Sequence, residues 1–387
     1  MEEPKLRFPE FTDKWEEKQF DNIATISGGY AFDSKKMTST PAKYQIVKMG
    51  NLYQGNLDLD RTPSFIEDAT EKELEYLIQE NDIGITLTGT VNKHDYGYSY
   101  RFGNEKNLLL NQRLGLIRAK QNVNAVFLSS IVKGKNFLTQ FYNISTGGTG
   151  NQTNVSTKGI EKIRVSIPIL KEQQKIADFL FLIDDIIQVQ EEEISILEEQ
   201  KKGMMQNLFN REMRFKADDG SEYPEWEVKL IGDILKICHG KDYKHLSNGN
   251  IPVLGTGGVI TFVDKYLCDW ECVLIGRKGT IDKPQYMNTP FWSVDTLFYS
   301  KPEKNQCVKF QYYLFETINW KVYDESTGVP SLSASTIEKI SILIPCLEEQ
   351  HKIADCLSAY DEVIQIKKDK LEVWKEIKKG LLQQMFV

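Results

Sequence analysis

A chain of 387 residues, 41% hydrophobic and 27% charged, is long enough for two or three domains with their own cores, and this composition excludes a disordered or fibrous protein. No apolar run reaches the ~18 residues that span a bilayer, and the Met1-Glu-Glu-Pro-Lys5 start lacks the basic-then-apolar layout of a signal peptide, so a cytoplasmic location is expected. The net charge of −7 leaves nucleic acid open as a partner, because Glu191-Glu-Glu193 and Glu198-Glu199 concentrate acid in one stretch while many basic residues lie elsewhere.

The chain opens on Arg7-Phe8 and Trp15-Glu16. From there to about residue 168 it is rich in Gly, Tyr, Phe, Asn and Thr, with short apolar runs such as Tyr44-Gln-Ile-Val47 and Asp82-Ile-Gly-Ile-Thr86. This predicts short strands joined by long polar loops, a mixed α/β domain. Thr88, Gly89, Thr90, Asn92 and Lys93 form a loop after the second run. Glycine lets a backbone approach a ligand closely, while Thr and Lys suit phosphate contacts; a tight turn with a solvated lysine is the plainer alternative. His94, Tyr96, Tyr98 and Arg101 follow, then Asn111, Gln112 and Arg113, and later the amide-rich Thr149-Gly-Asn-Gln-Thr-Asn154 with Asn151, Gln152 and Asn154. Asn and Gln pair bidentately with adenine, and Arg with guanine, in the major groove.

Past Pro168 the pattern becomes helical. Ile176, Leu180, Ile183, Ile187, Gln190, Ile194, Leu197, Lys201, Met204 and Leu208 alternate steps of four and three, the period of coiled-coil packing. At roughly 38 residues and 1.5 Å each the helix would be about 57 Å long, better suited to spacing two domains than to lying on one.

A second glycine- and aromatic-rich region runs from about 226 to 345. Lys241, Lys244 and His245 lead into Gly255-Thr-Gly-Gly258, which contains Thr256 and Gly257. After the run Cys272-Val-Leu-Ile275 come Arg277, Lys278, Gly279 and Thr280, then Lys283, Gln285, Trp292 and Asp295. This loop shares Gly-Thr-apolar-x-Lys with Leu87–Lys93, and Ser326-Thr-Gly-Val-Pro-Ser331 is the counterpart of the amide-rich loop. Any one of these is an ordinary surface loop by default; present together in both regions, they favour DNA reading. The final helix repeats the seam as Ile353, Leu357, Tyr360, Ile364, Lys367, Leu371, Trp374, Lys378, Leu381 and Met385.

The organising signal is this repeat. Residues 160–209 align with 337–386 at a constant offset of 177, and about 23 of 50 positions are identical, so the segment is duplicated. Trp15-Glu16 and Lys18 recur as Trp226-Glu227 and Lys229, and Arg7-Phe8 as Arg214-Phe215. The order lead-in, variable region, helix therefore occurs twice, a circle cut open, which predicts termini close together. The expected divisions are a first recognition domain 1–168, a central helix 169–212, a second recognition domain 213–345 and a C-terminal helix 346–387.

Chemistry-bearing motifs are sparse. There is no [DNS]PP[YF] motif for amino-methyl transfer, no glycine-rich nucleotide fingerprint and no HExxH, and only four histidines. A catalyst duplicated with its scaffold should show its catalytic residues twice. Cys268 and Cys272 have metal-like spacing and Cys238 sits beside His239, but no second pair completes a tetrahedral set, so reduced structural thiols are expected.

Pro168-Ile-Leu-Lys-Glu-Gln-Gln-Lys-Ile-Ala177, its partner Pro345-Cys-Leu-Glu-Glu-Gln-His-Lys-Ile-Ala354 and the Lys-Lys-Gly-x-x-Gln-x-x-Phe helix ends resemble the conserved helices of type I restriction-modification specificity subunits. The resemblance covers essentially the whole chain and implies an α/β fold: two target recognition domains joined by two long antiparallel coiled-coil helices in a pseudo-twofold repeat. It implies a non-catalytic subunit, each domain reading half of a bipartite double-stranded DNA target, the helices setting the spacer. Two methyltransferase subunits and restriction subunits would be partners, S-adenosylmethionine, ATP and Mg belonging to them and no cofactor to this chain. A stand-alone DNA-binding regulator, a coiled-coil adaptor and an autonomous nuclease or methyltransferase are the rival readings.

Overall fold

A computed structural model describes residues 4–147 and 151–386. Thr149 and Gly150, part of the amide-rich loop, and the terminal residues Met1 and Val387 lie outside the described residues. The chain divides into two compact units, 1–190 with 370–387, and 191–369. Each long helix is thus shared between the units rather than forming a body of its own.

In the first unit, Glu16–Gln19 pairs antiparallel with Arg164–Ile167, tying the domain's two ends together. A four-stranded sheet follows the order Ala24–Gly28, Leu114–Ala119, Ile83–Thr86, Ser99–Arg101. A second sheet sets Leu108–Leu110 parallel to Tyr44–Val47, with Phe65–Ile66 on the other side. The second unit repeats this plan. Glu227–Leu230 pairs with Ser341–Ile344; a four-stranded sheet runs Leu235–His239, Leu297–Pro302, Cys272–Gly276, Gln285–Met287; and Trp292–Ser293 lies parallel to Asn248–Gly255, which also pairs with Gly258–Val263. Duplication therefore extends into the variable regions, where sequence identity has faded.

The helices are Leu170–Phe209 and Leu347–Met385, 40 and 39 residues. Every seam residue named from the period is buried or half-buried, including Gln190, Lys201, Lys367 and Lys378. The helices run antiparallel: in the second unit Lys367 bonds Glu193 at 2.7 Å and Lys201 bonds Asp361 at 2.7 Å, and in the first Lys378 pairs with Asp184. The last two pairs are the same interaction, since Lys201 and Lys378, like Asp184 and Asp361, stand 177 residues apart.

The duplicated Glu-Gln of each helix start is a structural clamp. Glu172, 1% exposed, receives Arg7 Nε at 2.7 Å and Nη2 at 2.8 Å, and Trp15 Nε1 at 3.2 Å. Glu349, fully buried, receives Arg214 Nε at 3.1 Å and Nη2 at 2.9 Å, and Trp226 Nε1 at 3.2 Å. Gln173 accepts from the Asn124 amide and donates to Pro168 O; Gln350 accepts from the Cys307 amide and donates to Pro345 O. A buried carboxylate is tolerated only when paired and hydrogen-bonded, which explains why Arg, Trp and Glu recur as a set. The far end of each helix closes the other side: Phe386 packs on Trp15 and Phe127, and Phe209 on Trp226 and Phe310. With the Leu6 amide bonding Gln384 O at 3.0 Å, the beginning and end of the described chain meet in the first unit.

Candidate nucleic-acid interface

In the first unit the structure joins two loops far apart in sequence, Thr88 and Asn154 being 66 residues apart. Thr88–Thr90 forms a strand paired with Gln152–Asn154, Thr90 opposite Gln152 and Thr88 opposite Asn154, and Thr88 Oγ1 donates to Asn154 Oδ1 at 2.8 Å. The Val91 amide bonds Asn151 O at 2.9 Å. Asp95 folds back on the strand, accepting from the Thr90 amide and hydroxyl, each at 2.7 Å; the backbone bond foremost, then the hydroxyl, hold its carboxyl below the usual range. Asn92, at φ 61°, Lys93 and His94 project at the exposed tip, with His94 stacked on Tyr142 at 4.0 Å. Asn111 is half-buried, Gln112 and Arg113 are exposed on a turn nearby in sequence to the core strands, and Arg113 has φ 72°.

Three expectations require correction. Tyr96 is 3% exposed and packs against Phe141 and Tyr142, so it serves the core. Thr88 is 4% exposed, its hydroxyl spent on Asn154. Gly89 allows a close approach, but of the protein itself: a Cβ there would stand 2.4 Å from Tyr96 Cδ1 and 2.6 Å from Asp95 Oδ1. Arg101 is half-buried and donates to Asn81 Oδ1 at 2.8 Å. Tyr98 is half-buried, its ring 5.6 Å from that of Tyr53.

The second unit makes the equivalent junction. Lys278 bridges Ser331, the Gly279 amide bonds Pro330 O at 2.8 Å, and the Leu332 amide bonds Arg277 O at 2.9 Å. Gly279 has φ 94°, and a Cβ on it would stand 3.5 Å from Thr256 Oγ1, which brings the Thr256-Gly257 turn alongside. Arg277, Lys278, Thr280, Lys283 and Asp295 are exposed, as are Lys241, Lys244 and His245; Gln285 sits half-buried in an edge strand. Trp292 is 7% exposed and donates to Lys241 O at 2.8 Å, a further correction: it braces the Lys241 segment from within.

Sequence reasoning passed over two exposed features. Tyr53, 51% exposed, caps a small hairpin whose Gln54 and Gly55 have φ 51° and 85°, with Arg61 5.6 Å over its ring; the Gln54-Gly-Asn56 turn was its signal. The ribbon Gly258–Val263 exposes Val259, Ile260 and Phe262, re-aimed by a register shift between Val253 and Leu254. Cys268 and Cys272 are buried with their sulfurs 4.0 Å apart, and among the described residues no three His, Cys, Asp or Glu side chains gather as a metal site. No described helix is long and apolar enough to cross a membrane.

Two copies of one α/β domain, each presenting a polar loop junction, are thus carried on a duplicated pair of helices. Residues 12–199 and 223–376 match the type I restriction modification DNA specificity domain, and the chain belongs to that family. It is 26% identical to the type I restriction enzyme MjaVIII specificity subunit of Methanocaldococcus jannaschii, over 81% of this chain and 79% of the relative, and 24% identical to the MjaIX specificity subunit of the same organism, over 96% and 92%. In fold it resembles the crystal structure of a type I restriction-modification S subunit from M. genitalium, with TM-score 0.62, 17% identity and 100% and 99% coverage. A structure from work on assembly and conformational transition of the type I R-M system gives TM-score 0.53, 12% identity and 96% and 97% coverage.

Proposed function

We propose that this chain is the DNA-reading, non-catalytic subunit of a cytoplasmic type I restriction-modification complex, each unit reading one half of a bipartite double-stranded target. The observation that carries this reading is the repeated loop junction: the same two polar loops meet in both units, on domains whose sheets share one topology. Asn92, Lys93, Gln112, Arg113 and Asn151 in the first unit, and Lys241, Lys244, Arg277, Lys278 and Asp295 in the second, are the exposed side chains best placed to meet base edges and phosphates. The helices set the unread spacer and dock two methyltransferase subunits. Adenine methylation with S-adenosylmethionine belongs to those subunits, and ATP- and Mg-dependent translocation and cleavage to restriction subunits.

The test is a methylome of a methylation-free bacterium expressing this chain with its neighbouring methyltransferase subunit. A split adenine-methylated motif that vanishes when either chain is omitted is the expected result. Absence of new methylation with both proteins soluble and assembled would overturn the reading.

A further inference from the structure

The duplicated frame carries the same groove twice, and the two copies differ in charge. In the first unit a groove of about 590 Å³ lies where Lys133 and Lys135, at the junction of helices Ala125–Lys133 and Lys135–Asn143, face Lys375, Lys378 and Lys379 of the C-terminal helix, with His94 and Tyr142 at one end. It adjoins a cavity of about 300 Å³ lined by Lys5, Lys135 and the first turn of Lys135–Asn143, a nine-residue helix whose N-cap Gly134 supplies no side-chain cap. In the second unit the equivalent groove is lined by Glu198, Lys201, Lys202 and Glu316. The 177-residue offset puts Glu198 where the first unit has Lys375. Matching the helix N-caps Asn124 and Cys307, both bound by the helix-start glutamine, puts Glu316 where it has Lys133.

Carboxylates offset only part of the basic charge. Lys378 pairs with Asp184, Lys375 with Glu372 at 3.7 Å and Lys379 with Glu376 at 3.4 Å. In the second unit Glu316 instead stands 3.7 Å from Lys201, beside Asp361. Although the Lys133 side chain is exposed, the groove walls desolvate its ammonium and Lys378 adds like charge, both lowering its proton affinity. Cations crowded together beside an uncapped helix start make a seat for anions.

We infer that this groove of the first unit holds phosphates of the DNA backbone, continuing the track from the loop that ends at His94. The inference rests on the DNA-reading function proposed above. DNA is favoured as the occupant because the groove opens at His94, beside Lys93 at the loop tip, and because its cations are distributed along it. The contact is independent of base sequence and has no equivalent in the second unit, so the complex grips its two half-sites unequally.

The test uses the chain assembled with its methyltransferase subunit and a duplex carrying the methylome-defined target. Affinity is measured between 50 and 200 mM salt for wild type, K133Q/K135Q and, as the control in the second unit's equivalent groove, K202Q. Each lost phosphate contact lowers the log–log salt slope by about 0.9, so K133Q/K135Q should lose about 1.8 from the slope. Its affinity should then fall about twelvefold less than wild type across that salt range, with the methylated motif unchanged and K202Q matching wild type. An unchanged slope in a variant that melts like wild type overturns the inference. So does a variant that fails to assemble with the methyltransferase subunit without DNA, which would make the groove a protein-docking site. A wild-type complex that methylates no split target overturns both this inference and the function beneath it.

Discussion

Glu172 and Glu349 sit where a carboxylate survives only through its partners, and the consequence of removing one is calculable. Glu349→Gln takes the buried anion from the half-covered Arg214 guanidinium, leaving the exposed Glu225 at 3.3 Å, and weakens the Trp226 bond. Breaking a buried pair on one side costs about 3–5 kcal/mol, so the urea midpoint should fall steeply, and Glu172→Gln should do the same through Arg7 and Trp15. A shift under about 1 kcal/mol would show that water replaces the clamp. Asp95 gives a pH-dependent counterpart. Its carboxyl is held below the ordinary value by the Thr90 amide and hydroxyl; a depressed acid contributes stability above its unfolded pKa, near 3.9, and loses it as pH falls through the lower folded value. The protection factor of the Thr90 amide, its exchange rate corrected for the intrinsic pH dependence, should therefore hold at neutral pH and drop only below the usual aspartate range. In Asp95→Asn the protection should be lower at neutral pH and flat across that window.

The helices were legible because a 3.5-residue seam is a local pattern, and even its polar members predicted their place. Gln190, Lys201, Lys367 and Lys378 read as seam positions and are covered. Their partners were less visible: Asp184 and Asp361 flank the seam, and nothing local tells that Lys201 meets Asp361, which also accepts Tyr313 Oη at 2.6 Å. Within the recognition domains, Tyr96, Thr88 and Trp292 misled because short strands in polar surroundings show no sustained period to separate an inward aromatic from a base-stacking one. The junction of Thr88–Thr90 with Gln152–Asn154 is a long-range pairing that spacing cannot announce. Among element-scale consequences, Asp361→Asn removes the nearer of two carboxylates, Glu316 being the other at 3.7 Å, from a Lys201 side chain only 14% exposed and weakens the Tyr313 bond, for an expected cost of about 1–2 kcal/mol. The matching pair in the first unit is more open, Lys378 at 28%, so Asp184→Asn should cost less. Adding Lys201→Met to Asp361→Asn should recover part of the loss in a double-mutant cycle, because the half-buried cation left with only the more distant Glu316 is then gone.

At the scale of the whole chain, duplication has kept the frame alike in both units and let the loops diverge. The clamp, aromatic closure and lysine–aspartate pair occur twice with the same residue types, whereas the loop tips differ between units. Under the proposed function, base choice falls to the loops and distance to the helices, and an insertion separates the two. A heptad placed after Gln190 and another after Asp369 fall at the unit boundaries, so the ion pairs and clamps within each unit stay intact and the seam keeps its face. Seven residues at 1.5 Å add about 10 Å, close to 3 base pairs at 3.4 Å each. The methylated motif of the doubly lengthened protein should keep both half-sites and gain about 3 unread positions between them. A heptad in one helix alone cannot keep both sets of pairs in register, and should lower stability and methylation without defining a longer spacer. Altered half-site bases in the matched variant, with the spacer unchanged, would mean that the helices shape the reading surfaces instead of measuring the distance between them.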